Sequence, residues 1–200
     1  MPLPRSRCIL VLAVAATALA SCSSMQVTTL WQNPATTQIR FTKVLALCIA
    51  KDRYLREAAE GELCHNMSRV ACKPAAYAIP DSMLTNLEDA KALTQKEGYD
   101  GAVVVRVVDA HQRVTYMPPT YDPTFWGYYG YAWPIAYDPG SYRTDMVVVV
   151  ETAIFSLARN QLLWVGTTEM INPQSLPDVV ADLAKAVRGE LLKRNLIPPS

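Results

Sequence analysis

Two histidines, His65 and His111, and five cysteines are the side chains of this 200-residue chain best suited to nucleophilic, acid–base or metal chemistry. Neither histidine stands in a Gly-x-Ser-x-Gly, His-x-x-His or paired-carboxylate setting that would join a nucleophile to a base or hold a metal. Cys64, His65 and Cys72 lie close in sequence, but their spacing matches no common zinc pattern and a fourth ligand is not evident, so no metal is expected. Glu151 and Glu169 could flank a sugar, because glycan hydrolysis uses two carboxyl groups roughly 5 to 10 Å apart. Each falls on an alternating strand, where an outward, solvated residue is the simpler reading, since like charges directly across a ladder repel. Gly98-x-x-Gly101 precedes a strand and does not link a strand to a helix, so it is no phosphate cradle. These residue types point away from enzyme activity and from any cofactor.

The strongest functional pattern is aromatic. Residues 116–142 contain seven of the ten tyrosines and five of the fourteen prolines. Tyr and Trp offer large contact area with few rotors and a polar tip, which suits a protein interface or stacking on a sugar face. Tyr121, Phe125, Trp126, Tyr128, Tyr129, Tyr131, Trp133 and Tyr137 are the candidate partner-binding residues. Prolines and glycines argue for a long loop without regular structure, which is usually functional in a compact domain, or else a lid in which Phe125, Trp126 and Trp133 fold back over the sheet.

The elements that must hold this loop are legible on either side. The nearly continuous apolar run 43–50 reads as a central strand covered on both faces. Asp52 caps a helix to about Cys64, with Leu55, Ala58, Ala59 and Leu63 on its apolar side and Glu57 and Glu60 on its wet side. Residues 68–79 look extended. Asp81 or Ser82 starts a second helix through Leu84, Leu87, Ala90 and Leu93, which Gly98 ends. Gly101 to Val108 is a further strand, running on through Val114 and Tyr116, and Val147–Leu157 and Gln161–Met170 form an antiparallel hairpin across Ala158-Arg159-Asn160. Ser175 with Asp178 caps a final helix with Leu176, Val180, Leu183, Val187 and Leu191 at helical spacing. The expected fold is α/β (α+β): one domain with a mixed sheet of about five strands, about three helices and a long aromatic loop.

The first residues are an address. Arg5 and Arg7, an apolar run from Ile9 to Ala16 and small residues before Cys22 make a cleaved export signal over 1–21, too short to be a comfortable membrane span. Leu19-Ala20-Ser21-Cys22 resembles the lipobox of bacterial lipoproteins. That resemblance implies a diacylglycerol thioether on Cys22, an acylated amino group and a firm membrane anchor, since two chains already suffice. Ser23 after the cysteine, where the family's retention signal has Asp, implies sorting to the outer membrane of a Gram-negative envelope. Residues 22–42, polar and without sustained periodicity, read as a flexible tether to a domain over 43–200.

Loss of Arg5 and Arg7 with the leader takes the formal net charge from +1 to −1, which leaves no basic excess for nucleic acid. In an oxidising compartment Cys64 and Cys72 lie close enough to bridge across a helix-to-strand connection, with Cys48 buried and free. The segments Gly98-Tyr-Asp-Gly-Ala-Val-Val-Val, Val-Glu151-Thr-Ala-Ile-Phe-Ser-Leu and Leu162-Leu-Trp164-Val-Gly-Thr-Thr-Glu169, with the final helix, resemble uncharacterised periplasmic lipoproteins of Gram-negative bacteria. More loosely they are similar to lipoproteins that activate peptidoglycan synthases or nucleate secretion pores. The resemblance implies a non-catalytic envelope binding or scaffolding module facing the periplasm, with an envelope protein or peptidoglycan as partner. A glycan binder and a homo-oligomeric assembly component are the alternatives.

Overall fold

The computed structural model describes residues 25–67, 69–117, 124–137 and 141–198. Its strands are β1 (Gln26–Gln32), β2 (Lys43–Ile49), β3 (Ala71–Pro74), β4 (Gly101–Met117), β5 (Ser141–Ser156) and β6 (Gln161–Ile171). The helices are α1 (Arg53–His65), a single turn α2 (Ala75–Ala78), α3 (Leu87–Lys96), α4 (Phe125–Tyr137) and α5 (Leu176–Lys193), with a 3₁₀ turn at Asp81–Met83. All six strands form one mixed sheet in the order β1-β6-β5-β4-β2-β3. β2 runs parallel to β3 and β4, and the remaining pairs are antiparallel. The α+β class expected from the sequence is the class observed.

Burial explains the layering. Ala46, Val105, Val150, Ile154, Trp164 and Met170 share a core with Ala59 and Leu63 of α1 and with Val180, Leu183, Val187 and Leu191 of α5. These are the positions whose 2.0 and 3.6 periodicities aim them at each other. A smaller cluster on the opposite face joins Leu45, Tyr99 and Ala102 to Ala75 and Ile79. Asp52 and Ser175 cap α1 and α5 as their spacing predicts, accepting from the backbone N–H groups of Leu55 and Asp178. The β5–β6 hairpin turns at Leu157–Asn160, with Asn160 at φ 49°.

Four expectations need correction. The stretch read as a tether contains β1, which pairs with β6, so the folded unit reaches back at least to Gln26. Residues 71–79 are a short strand followed by a helical turn, because β2 takes only four residues into parallel register before Pro74 ends the pairing. The second helix starts later, at Leu87, where the Asn86 side chain accepts from the Asp89 N–H; the earlier Asp81 opens only the 3₁₀ turn. The aromatic segment is not wholly loop: β4 continues to Met117, β5 begins at Ser141, and α4 lies between.

Candidate functional site

β4 and β5 are far longer than their neighbours, and beyond the sheet they continue as a two-stranded arm. The last rung that touches β6 is Val147 with Ile171; from there β4 and β5 pair only with each other, through Gln112–Met146, Val114–Thr144 and Tyr116–Tyr142 to Met117–Ser141. A register shift between Val107 and Asp109 marks the root of the arm on β4, as expected where a bulge re-aims a strand. One face of the arm carries Val114, Tyr116, Tyr142 and Met146, all exposed, and the rings of Tyr116 and Tyr142 meet at a 55° tilt with centroids 5.6 Å apart. Its other face carries Asp109, His111, Arg113, Arg143 and Asp145.

The root is clamped. Asn172, just past β6 and at φ 50°, receives the Met146 N–H on its side-chain oxygen at 2.7 Å and donates its amide to buried Asp145 at 2.6 Å. Arg143 donates to the same carboxylate at 2.8 Å. The hydrogen bond from Asn172 holds the Asp145 carboxyl below its usual range against the opposing effect of burial, with Arg143 and Arg113 adding their charge. Arg113 reaches diagonally over the rung of fully buried Val147 to Glu169 at 2.7 Å. Arg106 grips Glu151 with two nitrogens, at 2.7 and 3.2 Å. The two carboxylates considered for glycan chemistry are therefore each engaged by an arginine of β4, and neither faces the other: Glu151 sits opposite Thr167 and Glu169 opposite Val149.

At the far end stands α4. Thr124 caps it, accepting from Gly127 N–H at 3.1 Å through its hydroxyl and from Tyr128 N–H at 2.9 Å through its carbonyl. Phe125 is 68% exposed, Trp126 74% and Trp133 53%, and Tyr128 and Tyr129 are exposed as well. The rings pack on one another, Phe125 on Trp126 and Tyr129, and Tyr129 on Trp133, with centroids 5.0 to 6.1 Å apart. None of the described α4 side chains belongs to either core cluster. The segment is thus no irregular loop, and Phe125, Trp126 and Trp133, at these exposures, do not fold back as a lid on the sheet. Tyr131 and Tyr137 also fall within α4, whereas Tyr121 and Cys22 lie outside the described residues.

The remaining sequence candidates are accounted for elsewhere. Cys64 and Cys72 are joined to each other, with Cα atoms 5.2 Å apart, tying the end of α1 to β3. Cys48 is free and half-buried, and burial pushes its thiol up. Sequence reasoning misplaced Glu60, which is 1% exposed. Its two oxygens accept from Cys48 N–H at 2.9 Å and Ala76 N–H at 2.6 Å, joining α1 to β2 and α2. Burial raises this carboxyl, and those backbone donors with Arg56 oppose the rise. Sequence reasoning also missed a cleft of about 800 Å³ between α5, the end of α1 and the sheet, walled by Ile39, Phe41, Leu63, Val103 and Leu191, with Arg40 and Arg69 beside it. Leu63, Val103 and Leu191 signalled only as core pattern, and Ile39 and Phe41 fall in the stretch read as a tether.

A mixed sheet with α1 and α5 on one face, the smaller α2 and α3 cluster on the other and a long two-stranded arm defines the class of fold. No model of a known protein family matches the chain, and no curated protein matches it in sequence. Among solved structures it is similar to the PelC dodecamer from Paraburkholderia phytofirmans at 11% identity and TM-score 0.41, over 88% of this chain and 99% of that one. It is similar also to lipoprotein GNA1162 from Neisseria meningitidis at 14% identity and TM-score 0.41, over 76% and 99%. A minor lipoprotein from Acinetobacter baumannii matches at 13% identity and TM-score 0.32, over 78% and 96%.

Proposed function

We propose that this chain is a lipoprotein of the Gram-negative outer membrane, exported by residues 1–21, anchored through acylated Cys22 and facing the periplasm, where it serves as a non-catalytic binding or scaffolding module. The observation that carries the binding role is α4, a run of exposed aromatic residues held away from the core on a clamped arm. Contiguous exposed apolar surface of this kind marks an interaction site in a soluble domain. The anchor rests on the residue types of Leu19-Ala20-Ser21-Cys22.

Intact mass and membrane fractionation of wild type beside Cys22→Ser, expressed in a Gram-negative host, test the anchor. A lipid-sized increment on the N-terminal fragment, lost in the variant together with membrane retention, is expected. An unlipidated wild type in the soluble periplasm overturns the anchor. Co-sedimentation with insoluble peptidoglycan reads the glycan-binding alternative, and light scattering on the lipid-free domain reads assembly. The assembly alternative gains support from β1, an edge strand whose Leu30 and Trp31 are exposed.

A further inference from the structure

We infer that the arm is a second membrane contact: α4 seats in the headgroup–acyl boundary of the same leaflet that holds the lipid on Cys22. The inference rests on the anchor proposed above. It starts from where the chain enters the fold. Gln26 pairs with Glu169, Glu169 with Val149, and Val149 with Asp109, so the start of β1 and the root of the arm share one rung of the sheet. β1 runs parallel to β5, so residues preceding Gln26 leave the sheet on the side toward which the arm projects.

From that shared rung the two reaches differ. Cys22 is four residues from Gln26, and four residues span at most about 14 Å whatever their conformation. The arm runs eight residues along β5 from Val149 to Ser141, about 27 Å at strand rise. The tip therefore overreaches the anchor by at least about 13 Å along the strands before α4 is counted. With the acyl chains of Cys22 in the bilayer, an arm pointing this way brings α4 to the lipid or through its surface.

The chemistry of the tip fits that position. Between Asp122 and Asp138 no residue carries a charge, and the segment holds Phe125, Trp126, Tyr128, Tyr129 and Trp133. Tyr and Trp concentrate at membrane–water boundaries, where an apolar ring with a polar edge is satisfied on both sides. A helix bonds its own backbone, so α4 can enter lipid, whereas the two open edges of the arm cannot follow it into the hydrocarbon. The arm therefore lies tilted against the membrane, its overreach running partly along the surface, and α4 sits at the boundary. At 13 residues α4 is too short to span, and no described helix is long and apolar enough to cross a membrane. The exposed stripe of Val114, Tyr116, Tyr142 and Met146 continues the apolar surface back from the tip, while Arg113 and Arg143 on the other face stand at headgroup level.

The test uses the full-length chain, matured in a Gram-negative host, purified and reconstituted in vesicles of phosphatidylethanolamine and phosphatidylglycerol. The acyl chains are brominated either near the glycerol or near the methyl end. Tryptophan emission is compared between wild type and a Trp126→Tyr/Trp133→Tyr variant, which keeps Trp31 and Trp164, and the mass of each sample reports lipidation. Wild type should show a blue-shifted, quenchable component, stronger with bromine near the glycerol, that the variant lacks. Tyr129→Asp/Trp133→Asp should abolish quenching of Trp126 without changing lipidation or the circular dichroism. Lipidated protein whose tip tryptophans are unquenched overturns the inference, whether the tip then pairs with a second copy or co-sediments with peptidoglycan. If Cys22 carries no lipid the anchor fails, yet tip quenching in those samples would still uphold the membrane contact, and its absence would overturn that too.

Discussion

Single residues show what the sequence pattern hides. Glu60 reads as a wet-side glutamate from its charge, yet it is buried because its two oxygens are the acceptors for the N–H groups of Cys48 and Ala76. Glu60→Leu fills a similar volume and orphans both donors, which should cost about 2–4 kcal/mol in urea denaturation. The pH dependence has a definite sign. Burial holds this carboxyl above its ordinary value, so the folded state binds the proton more tightly, and the associated stability is present below the unfolded pKa and lost as pH rises through the folded one. The gap between wild type and Glu60→Leu should therefore narrow between acid and neutral pH; a gap that widens refutes the assignment. The Gly98-Tyr99-Asp100-Gly101 motif, in contrast, was visible in sequence, though not its reason. Gly98 sits at φ 74°, Tyr99 is buried, Asp100 accepts from Thr42 and Lys43, and a Cβ on Gly101 would fall 2.5 Å from the Phe41 ring. Gly101→Ala should lower stability by about 1–3 kcal/mol as that ring is displaced, and Phe41→Ala in the same chain should recover part of the loss.

At the scale of elements, legibility followed how many neighbours fix an element's pattern. The β5–β6 hairpin and α5 read correctly because each buries one full face, which imposes its periodicity on the sequence. β1 did not, because an edge strand pairs on one side only, and Gln26–Gln32 is mostly polar with inward Val27 and Thr29 as its sole regular signal. α4 did not, since a helix whose described side chains join no core cluster needs no apolar stripe, and Gly127, Gly130 and Pro134 argue against one; Thr124 at its cap was the clue. The same isolation gives a prediction about motion. In hydrogen exchange, amides of residues 111–117 and 141–145 should exchange well before those of β2, central β5 and β6, whose ladders are covered by α1 and α5. Asn172→Ala removes the clamp on Asp145 and Met146 and places alanine at φ 50°. It should speed exchange along the arm's root while leaving the β2 and β4 core amides unchanged.

Across the whole molecule, carboxylates stand where elements meet. Asp100 ties the start of β2 to that of β4 through Thr42 and Lys43. Glu190 of α5 accepts from Thr29 of β1, whose hydroxyl in turn receives the indole N–H of fully buried Trp164 on β6. Burial opposes ionisation at both, but the donors of Thr42 and Lys43 around Asp100, and those of Arg194 and Thr29 around Glu190, hold each carboxyl below its usual range. Depressed folded values act opposite to Glu60: the stability they supply is present above the unfolded pKa, near 4, and lost as pH falls through the folded value. Each contributes up to about 1 kcal/mol once solvent screening is allowed for. The denaturation midpoint should therefore fall as pH drops below about 4. Asp100→Asn with Glu190→Gln should start lower at neutral pH and flatten that acid slope, because the groups that bind protons on unfolding are gone. An unchanged slope in the double variant would mean that acid acts elsewhere; the next junctions to test are Asp145 under Asn172 and Arg143, by Asp145→Asn, and Asp81, which Arg56 and Arg53 of α1 hold low, by Asp81→Asn.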